Sequence, residues 1–373
     1  MLAVIRSWTD QVLGPGANRR HQHTFSCIVA GIVEGRSATP AEIGRHIPTE
    51  AFEKHKIKQV DRFLGNESFD PMGVSRGLIS LLNLDPLVTY EVAIDWTKTG
   101  RFETLTSSIV MGGRSLPFQW TCIDKDVTRM ALTERQHVKR LKQLLPENVR
   151  CVLLFDAGFD DKSFIKFLDT DVKMNFVVRS SPQVCVRRIN KSKHVHLMKC
   201  RWKRGRVYDW GEVDFAKTAP TRIRLVVIHD HGMADPWILL TNLNAPAETI
   251  VKLYSRRFET EETYKDLKDI RSGLQLKDTR VNSIEHLERL LAACAAAYFI
   301  MILAGLYGED QGLHHRLQAN SVKTRRVIAV WRVGRALLRK GLIAGQDLLT
   351  RLWRILAKIS MQLGGQSICP ASS

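Results

Sequence analysis

The hydrophobic pattern of the chain changes character along its length. Up to about residue 85, short helical periods alternate with turn signals. SATPAEIGRHI (37–47) puts Pro40 where a first helical turn accepts it. FEKHKIKQVDRFLGN (52–66) reads as a basic helix ending at Gly65-Asn66. From Tyr90 the pattern turns apolar and β-branched. TYEVAIDWT is a strand running into an acid, and TLTSSIVMGG and SLPFQWTCID are two more, the second after the turn Gly112-Gly113-Arg114. ALTERQHVKRLKQLL (131–145) has helical periodicity, CVLLFDAGF (151–159) is a buried strand running into another acid, and a helix (161–168) and the strand NFVVRSS (175–181) follow. This order predicts an α/β layer with both acids at strand C-termini, where open sheets place their sites.

Residues 180–240 carry short strands (VCVRRIN, HVHLMKC, RIRLVVIHD, WILLTNL) separated by charged turns, and from Thr249 the chain is helical almost to its end. The expected architecture is a helical region over 1–85, an α/β domain over 86–310 interrupted by a β-rich insertion at about 180–245, and a basic helical region over 311–373. The 19 residues from Leu290 to Gly308 carry no charge and match a membrane span in length. They follow the charged helical run SIEHLERL without a loop, so the expectation is a helix buried in a large core and no membrane.

Composition adds a partner. Hydrophobic content of 44% and charged content of 25% are those of a folded protein. Against 38 Asp+Glu stand 56 Lys+Arg, a formal net charge of +18 that favours a polyanion. The seven cysteines are scattered without a Cys-x-x-Cys pair, which argues against zinc-ribbon and dithiol redox sites and fits a reducing cytoplasm. The opening MLAVIRSWTDQVLG lacks the apolar core of a signal peptide. In the N-terminal region His21, His23, Lys54, Lys56, Lys58 and Arg62 form either a grip for a DNA backbone or a solvated basic face.

Asp95 and Asp156 each end an apolar strand run, where a carboxylate needs a cation or hydrogen bonds. The segment YSRRFETEETYKDLK (254–268) places Tyr254, Arg257, Glu261 and Lys268 at about 0°, 300°, 340° and 320° on a helical wheel. A carboxylate, two cations and a phenol on one stripe suit a metal site with phosphate contacts. Glu259 and Glu262 fall off that stripe, which singles out Glu261. A solvated helix with ion pairs explains Glu–Lys spacing in general but has no use for this four-residue register.

The stripe resembles the Tyr-x2-Arg-x3-Glu-x6-Lys motif of bacterial insertion-sequence transposases, in the group named after insertion sequence four. VDRFLGN (60–66), AIDWT (93–97), GRSLP (113–117), DAGF (156–159) and PWILLTNL (236–243) match in order, so the resemblance spans roughly residues 55 to 305. Ala157 departs from the commoner Asp-Arg-Gly pattern. The resemblance implies a ribonuclease H-like core with a β-strand insertion in the 104 residues between Asp156 and Glu261. It further implies Asp95, Asp156 and Glu261 as a DDE triad, and Tyr254, Arg257 and Lys268 as DNA contacts. Two Mg²⁺ ions, with Mn²⁺ as a substitute, would serve excision and strand transfer on double-stranded DNA, at terminal inverted repeats and target. A homodimer on DNA and association with the bacterial nucleoid are the corresponding expectations. A same-fold nuclease that cuts without joining and a catalytically silent DNA-binding relative are the alternatives.

Other features leave two readings open. Trp237 is a base-stacking residue or a core residue. RWKRGRV (201–207) is a phosphate-binding turn or a solvated hairpin. The basic amphipathic region from Lys323 to Lys358 suits DNA binding, dimer packing or a solvated face. His314-His315 reads as surface.

Overall fold

The computed structural model describes residues 1–125, 130–218, 220–319, 322 and 324–343. The N-terminal periods fold as α1 (Leu2–Leu13), α2 (Arg19–Gly35), α3 (Pro40–Arg45), α4 (Glu53–Leu64) and α5 (Pro71–Leu82). Pro40 and Pro71 sit in first helical turns, and the Asp70 carboxylate caps α5 by accepting from Met72 N at 2.9 Å.

The strand region begins with β1 (Thr89–Thr99), β2 (Phe102–Met111) and β3 (Arg114–Asp124), with Gly112 and Gly113 supplying the positive φ that a tight hairpin turn requires. After α6 (Met130–Leu144) come β4 (Arg150–Phe155), the short α7 (Lys162–Lys166) and β5 (Asn175–Ser180). Residues 185–241 add β6 (Cys185–Arg188), β7 (Val195–His196), β8 (Arg206–Phe215), β9 (Thr221–His229) and β10 (Trp237–Thr241). All ten strands belong to one sheet, in the order β3-β2-β1-β4-β5-β10-β9-β8-β6-β7, so the β-rich stretch extends the central sheet edge to edge.

Several expectations need correction. β1 does not end at Asp95: its parallel pairing with β4 stops at Ile94↔Phe155, but its antiparallel pairing with β2 continues to Thr99. HVHLMKC contributes a strand only at Val195–His196, because Leu197 then turns inward and is fully buried in a 3-10 turn. β8 was not visible in the hydrophobic pattern. Asp209, Gly211 and Glu212 interrupt the alternation, and a bulge lies at Asp209/Gly211. His314 is buried, at 6% exposure, whereas His315 is exposed.

The apolar segment lies inside α10 (Ile284–Asp310), and 89% of an apolar 18-residue stretch of that helix is buried within the protein, as a core helix should be. Trp8 Nε1 donates to Ala296 O at 3.2 Å and Arg289 to Leu64 O at 2.7 Å, tying α10 to α1 and α4. α11 (Val330–Arg339) crosses α10 where Gly305 and Gly334 let the backbones touch, since a Cβ on Gly334 would lie 1.8 Å from Met301 O. The arginines of this basic region engage the body: Arg335 donates to Val33 O at 2.6 Å, Arg339 pairs with Glu34 at 2.7 Å, and Arg326 with Glu309 at 2.9 Å. Lys323, Arg351, Arg354 and Lys358 lie outside the described residues.

α6 is fixed to the sheet through His137, which is fully buried. Its Nε2 meets Ser107 Oγ at 2.8 Å and its Nδ1 meets Thr121 Oγ1 at 2.6 Å. Burial, with Arg140 adding to it, lowers its pKa to about 3.

Two predictions follow from this packing. Gly334→Ala forces the α10–α11 backbones apart, and the expected loss is about 2 kcal/mol or more in chemical denaturation. His137 is neutral when folded, and the unfolded chain takes up its proton first. Stability should therefore decline as pH falls from about 6.5 towards 3, by about 1.4 kcal/mol per unit from this residue. A denaturation series against pH checks this, and His137→Gln should flatten that part of the profile.

Candidate active site

The period of two along a strand places the first two acids. Val152 and Leu154 of β4 face an apolar cluster with Ile250 and Tyr254 of the covering helix α8 (Ala247–Ser255). Asp156, two residues beyond Leu154, therefore emerges on that face. Ala93 pairs with Leu154 in parallel register, so Asp95, two residues beyond Ala93, emerges beside it. The opposite face belongs to α6, where Trp96 Nε1 donates to Glu134 at 2.9 Å. Asp156 is also the cap of a 3-10 turn over Ala157–Phe159, accepting from Gly158 N at 2.9 Å. Ala157 leaves that turn intact.

The third acid arrives on a helix that is broken. α8 ends at Ser255, Arg256–Phe258 form a 3-10 turn, and α9 (Glu259–Lys268) follows. Tyr254 is fully buried, packed edge-on against Trp237 at 5.2 Å, while Phe258 stacks on that indole at 5.3 Å and meets Tyr254 edge-on at 6.3 Å. Trp237 is half-buried at the start of β10. Arg257, with a side chain 7% exposed, reaches Asp95 at 3.2 Å and Glu261 at 3.4 Å. Glu261 is the more open partner, its side chain 48% exposed. Lys268 donates to Thr97 Oγ1, two residues beyond Asp95 on the same strand face.

Asp95, Asp156, Arg257, Glu261 and Lys268 thus share one side of the sheet. The electrostatics fit this convergence. The Asp95 carboxyl is pushed up to about 6, mainly by burial and further by Asp156 and Glu261, while Arg257 opposes the rise. Burial also brings Lys268 down to about 8. Arg62 lies elsewhere, exposed on α4 with its Nε on Lys58 O at 3.2 Å.

Sequence reasoning missed the supports of this site. Arg256 pairs with Glu91 at 2.8 Å, and Glu91 is 4% exposed on the same strand face as Asp95. Glu259, off the predicted stripe, accepts from Gly113 N at 2.7 Å and so ties α9 to the β2–β3 turn. Arg114 and Tyr298 both reach Asp266, at 2.5 and 2.9 Å. The double arginine was the available signal: a strand with acids four residues apart, Glu91 and Asp95, faces two consecutive cations.

Residues 121–300 match the protein family described as Transposase DDE domain. That stretch contains Asp156 and the whole 254–268 segment and begins after Asp95. No curated protein matches the chain. Among solved structures, the chain is similar to the piggyBac transposase synaptic complex with hairpin DNA, solved by cryo-EM. The TM-score is 0.45 at 10% identity, covering 99% of this chain and 80% of that one.

Arg256→Ala is expected to strand a buried carboxylate at Glu91 and cost about 3 kcal/mol or more by denaturation. The double variant Glu91→Gln with Arg256→Gln should cost less than Arg256→Ala alone, because no uncompensated charge remains.

Proposed function

We propose that the chain is a DNA transposase of the DDE type, with a ribonuclease H-like core and Asp95, Asp156 and Glu261 as its triad. One observation carries the reading: two acids on adjacent parallel strands face a third on the covering helix, with Arg257 between them. The family match over 121–300 points the same way.

The donor set suits a hard divalent cation. It offers carboxylate oxygens only, and burial together with Asp156 and Glu261 holds the Asp95 carboxyl up at about 6 despite Arg257. Among the described residues no three ligand-type side chains already stand at metal-holding spacing. Arg257 occupies the position between Asp95 and Glu261, so loading requires it to yield. Two Mg²⁺ ions, or Mn²⁺, would supply activation of water or a 3′-hydroxyl and stabilisation of the leaving oxygen.

The chain's own groups do the remainder. Asp95 and Asp156 are fixed by the sheet register, and Glu261 closes the set from α9. Arg257, released from the carboxylates, binds the non-bridging oxygens of the scissile phosphate in a bidentate fork. Lys268 stays near Asp95, and an incoming phosphate favours its charged form. Trp237, Tyr254 and Phe258 form the aromatic wall beside the acids, and the half-buried Trp237 is positioned to meet an unstacked base. Water as nucleophile nicks a transposon end, and the 3′-hydroxyl so freed attacks target DNA. Two ends cut in concert call for a homodimer on duplex DNA, with the helical region 1–85, Arg62 included, on the backbone.

The test is nicking and joining of duplexes made from the DNA that flanks the gene, with Mg²⁺ or Mn²⁺. Asp95→Asn, Asp156→Asn and Glu261→Gln should each lose at least about 100-fold, about 2.7 kcal/mol of barrier. Glu262→Ala, at a partly exposed side chain paired with Lys265, should stay within about threefold of the parent. Equal loss from Glu262→Ala would sink the triad, and cutting without joining would mark a nuclease.

A further inference from the structure

The stretch 185–206 contains nine Lys and Arg and no Asp or Glu. Arg187 pairs with Asp214 at 2.6 Å. Arg201, Lys203 and Arg206 are exposed and form no ion pair with a described residue, and the exposed Arg204 touches only a carbonyl, His231 O, at 3.3 Å. These four cations sit on a built turn. Gly205 adopts φ +73°, and its N–H donates to His229 O at 2.7 Å. The His229 ring meets Trp202 O at 2.9 Å, and Lys203 N donates to the Tyr208 hydroxyl at 3.0 Å. Trp202 packs on Tyr208 and Trp210 at 5.1 and 5.2 Å and donates to Leu197 O. Arg188 lies over Trp210 at 5.1 Å.

Register places this turn. Phe155, next to Asp156, pairs with Val178, Val178 with Leu240, Leu240 with Leu225, and Leu225 with Gly211. Continuing in the direction of Asp156, the β8 side reaches Arg206, opposite His229. The cationic turn therefore projects from the same edge of the sheet as Asp95 and Asp156. Four strand spacings separate β8 from β4 and five separate it from β1. At about 4.8 Å each, the lateral separation is about 19–24 Å. Arg206, opposite His229, lies three residues, about 10 Å, further along the strands than Asp156, so the turn lies about 22–26 Å from the acids.

We propose that Arg201, Lys203, Arg204 and Arg206 form a clamp on the phosphate backbone of duplex DNA, about six to eight base pairs from the scissile phosphate at 3.4 Å per step. This rests on the transposase reading for the position of the cut. The aromatic rings are engaged with one another and with the backbone, so they scaffold the turn and do not offer stacking faces for single strands. The contact is electrostatic and indifferent to base sequence.

The triple variant Arg201→Gln, Lys203→Gln, Arg204→Gln is compared with the parent on a random-sequence 24-bp duplex across a salt series. The slope of log affinity against log salt should fall by about 2 to 3, at about 0.9 per lost phosphate contact. An unchanged slope overturns the clamp. A thermal melt checks folding, and Lys203→Glu alone is the second variant, expected to weaken duplex binding. Duplexes of the flanking DNA are then shortened to 4 bp on one side of the nick. The parent should lose affinity on one side only and the triple variant should not respond; equal losses overturn the placement. If the parent nicks nothing yet the slope falls, the transposase reading fails while the turn remains a DNA contact. Loss of binding to phosphatidylserine vesicles with duplex binding unchanged would overturn the clamp in favour of a membrane surface.

Discussion

Everything around the site depends on carboxylates held at the edge of an apolar sheet by two neighbouring arginines. Glu91 and Asp95 lie four residues apart on one face of β1, and Arg256 and Arg257 answer them in turn. A continuous α-helix would send consecutive side chains about 100° apart around one cylinder. A 3-10 turn interrupts that cylinder at Arg256–Phe258, and there Arg256 reaches Glu91 while Arg257 reaches Asp95. The break between α8 and α9 thus coincides with the charge compensation. Glu259 and Asp266 serve the same end, by anchoring α9 to Gly113 and Arg114 of the β2–β3 hairpin.

The break also explains what happens to the predicted stripe. Three residues at about 120° in place of 100° turn Glu261 and Lys268 together by about 60°, to about 40° and 20° from Tyr254, so the stripe survives the break. Its members differ in exposure: Tyr254 and Arg257 are buried, whereas the Glu261 side chain is 48% exposed. Under the proposed function Arg257 has two mutually exclusive tasks, neutralising Asp95 and Glu261 or binding phosphate. Its 3.2 and 3.4 Å contacts describe the first of these.

Much of this was legible in the sequence. Apolar runs ending in acids gave β4 and most of β1, Pro40 marked a helix start, and the Ala-rich run at 290–308 was read as core. Burial of Cys151, Val152, Leu153 and Leu154 follows directly from such a pattern. What stayed hidden depends on partners distant in sequence. β8 carries acids and a bulge because its place near the margin of the sheet leaves much of it half-buried, so no clean alternation betrays it. Glu91 looked like an ordinary polar residue in a strand, and only Arg256, 165 residues away, makes its burial tolerable. His314 looked like half of an exposed pair, since nothing local distinguishes it from His315.

The continuity of the sheet joins these observations. A β-rich excursion between Asp156 and Glu261 was expected as an addition to the core, and its strands instead share the core's hydrogen-bond rows from Phe155 across to Gly211. Rows of backbone hydrogen bonds transmit position more faithfully than a loop does, because a slip of one residue would move every side chain of β10 and β9 to the opposite face, against the wrong neighbours. Ile238 and Leu240 lie on one side of β10 and Leu239 on the other, all fully buried, so neither face of that strand tolerates such a slip. The distance between the acids and the cationic turn is consequently a property of the fold, set by strand count. A polyanion lying along that edge meets both at fixed separation, and that rigidity gives the arrangement its reach beyond the three acids.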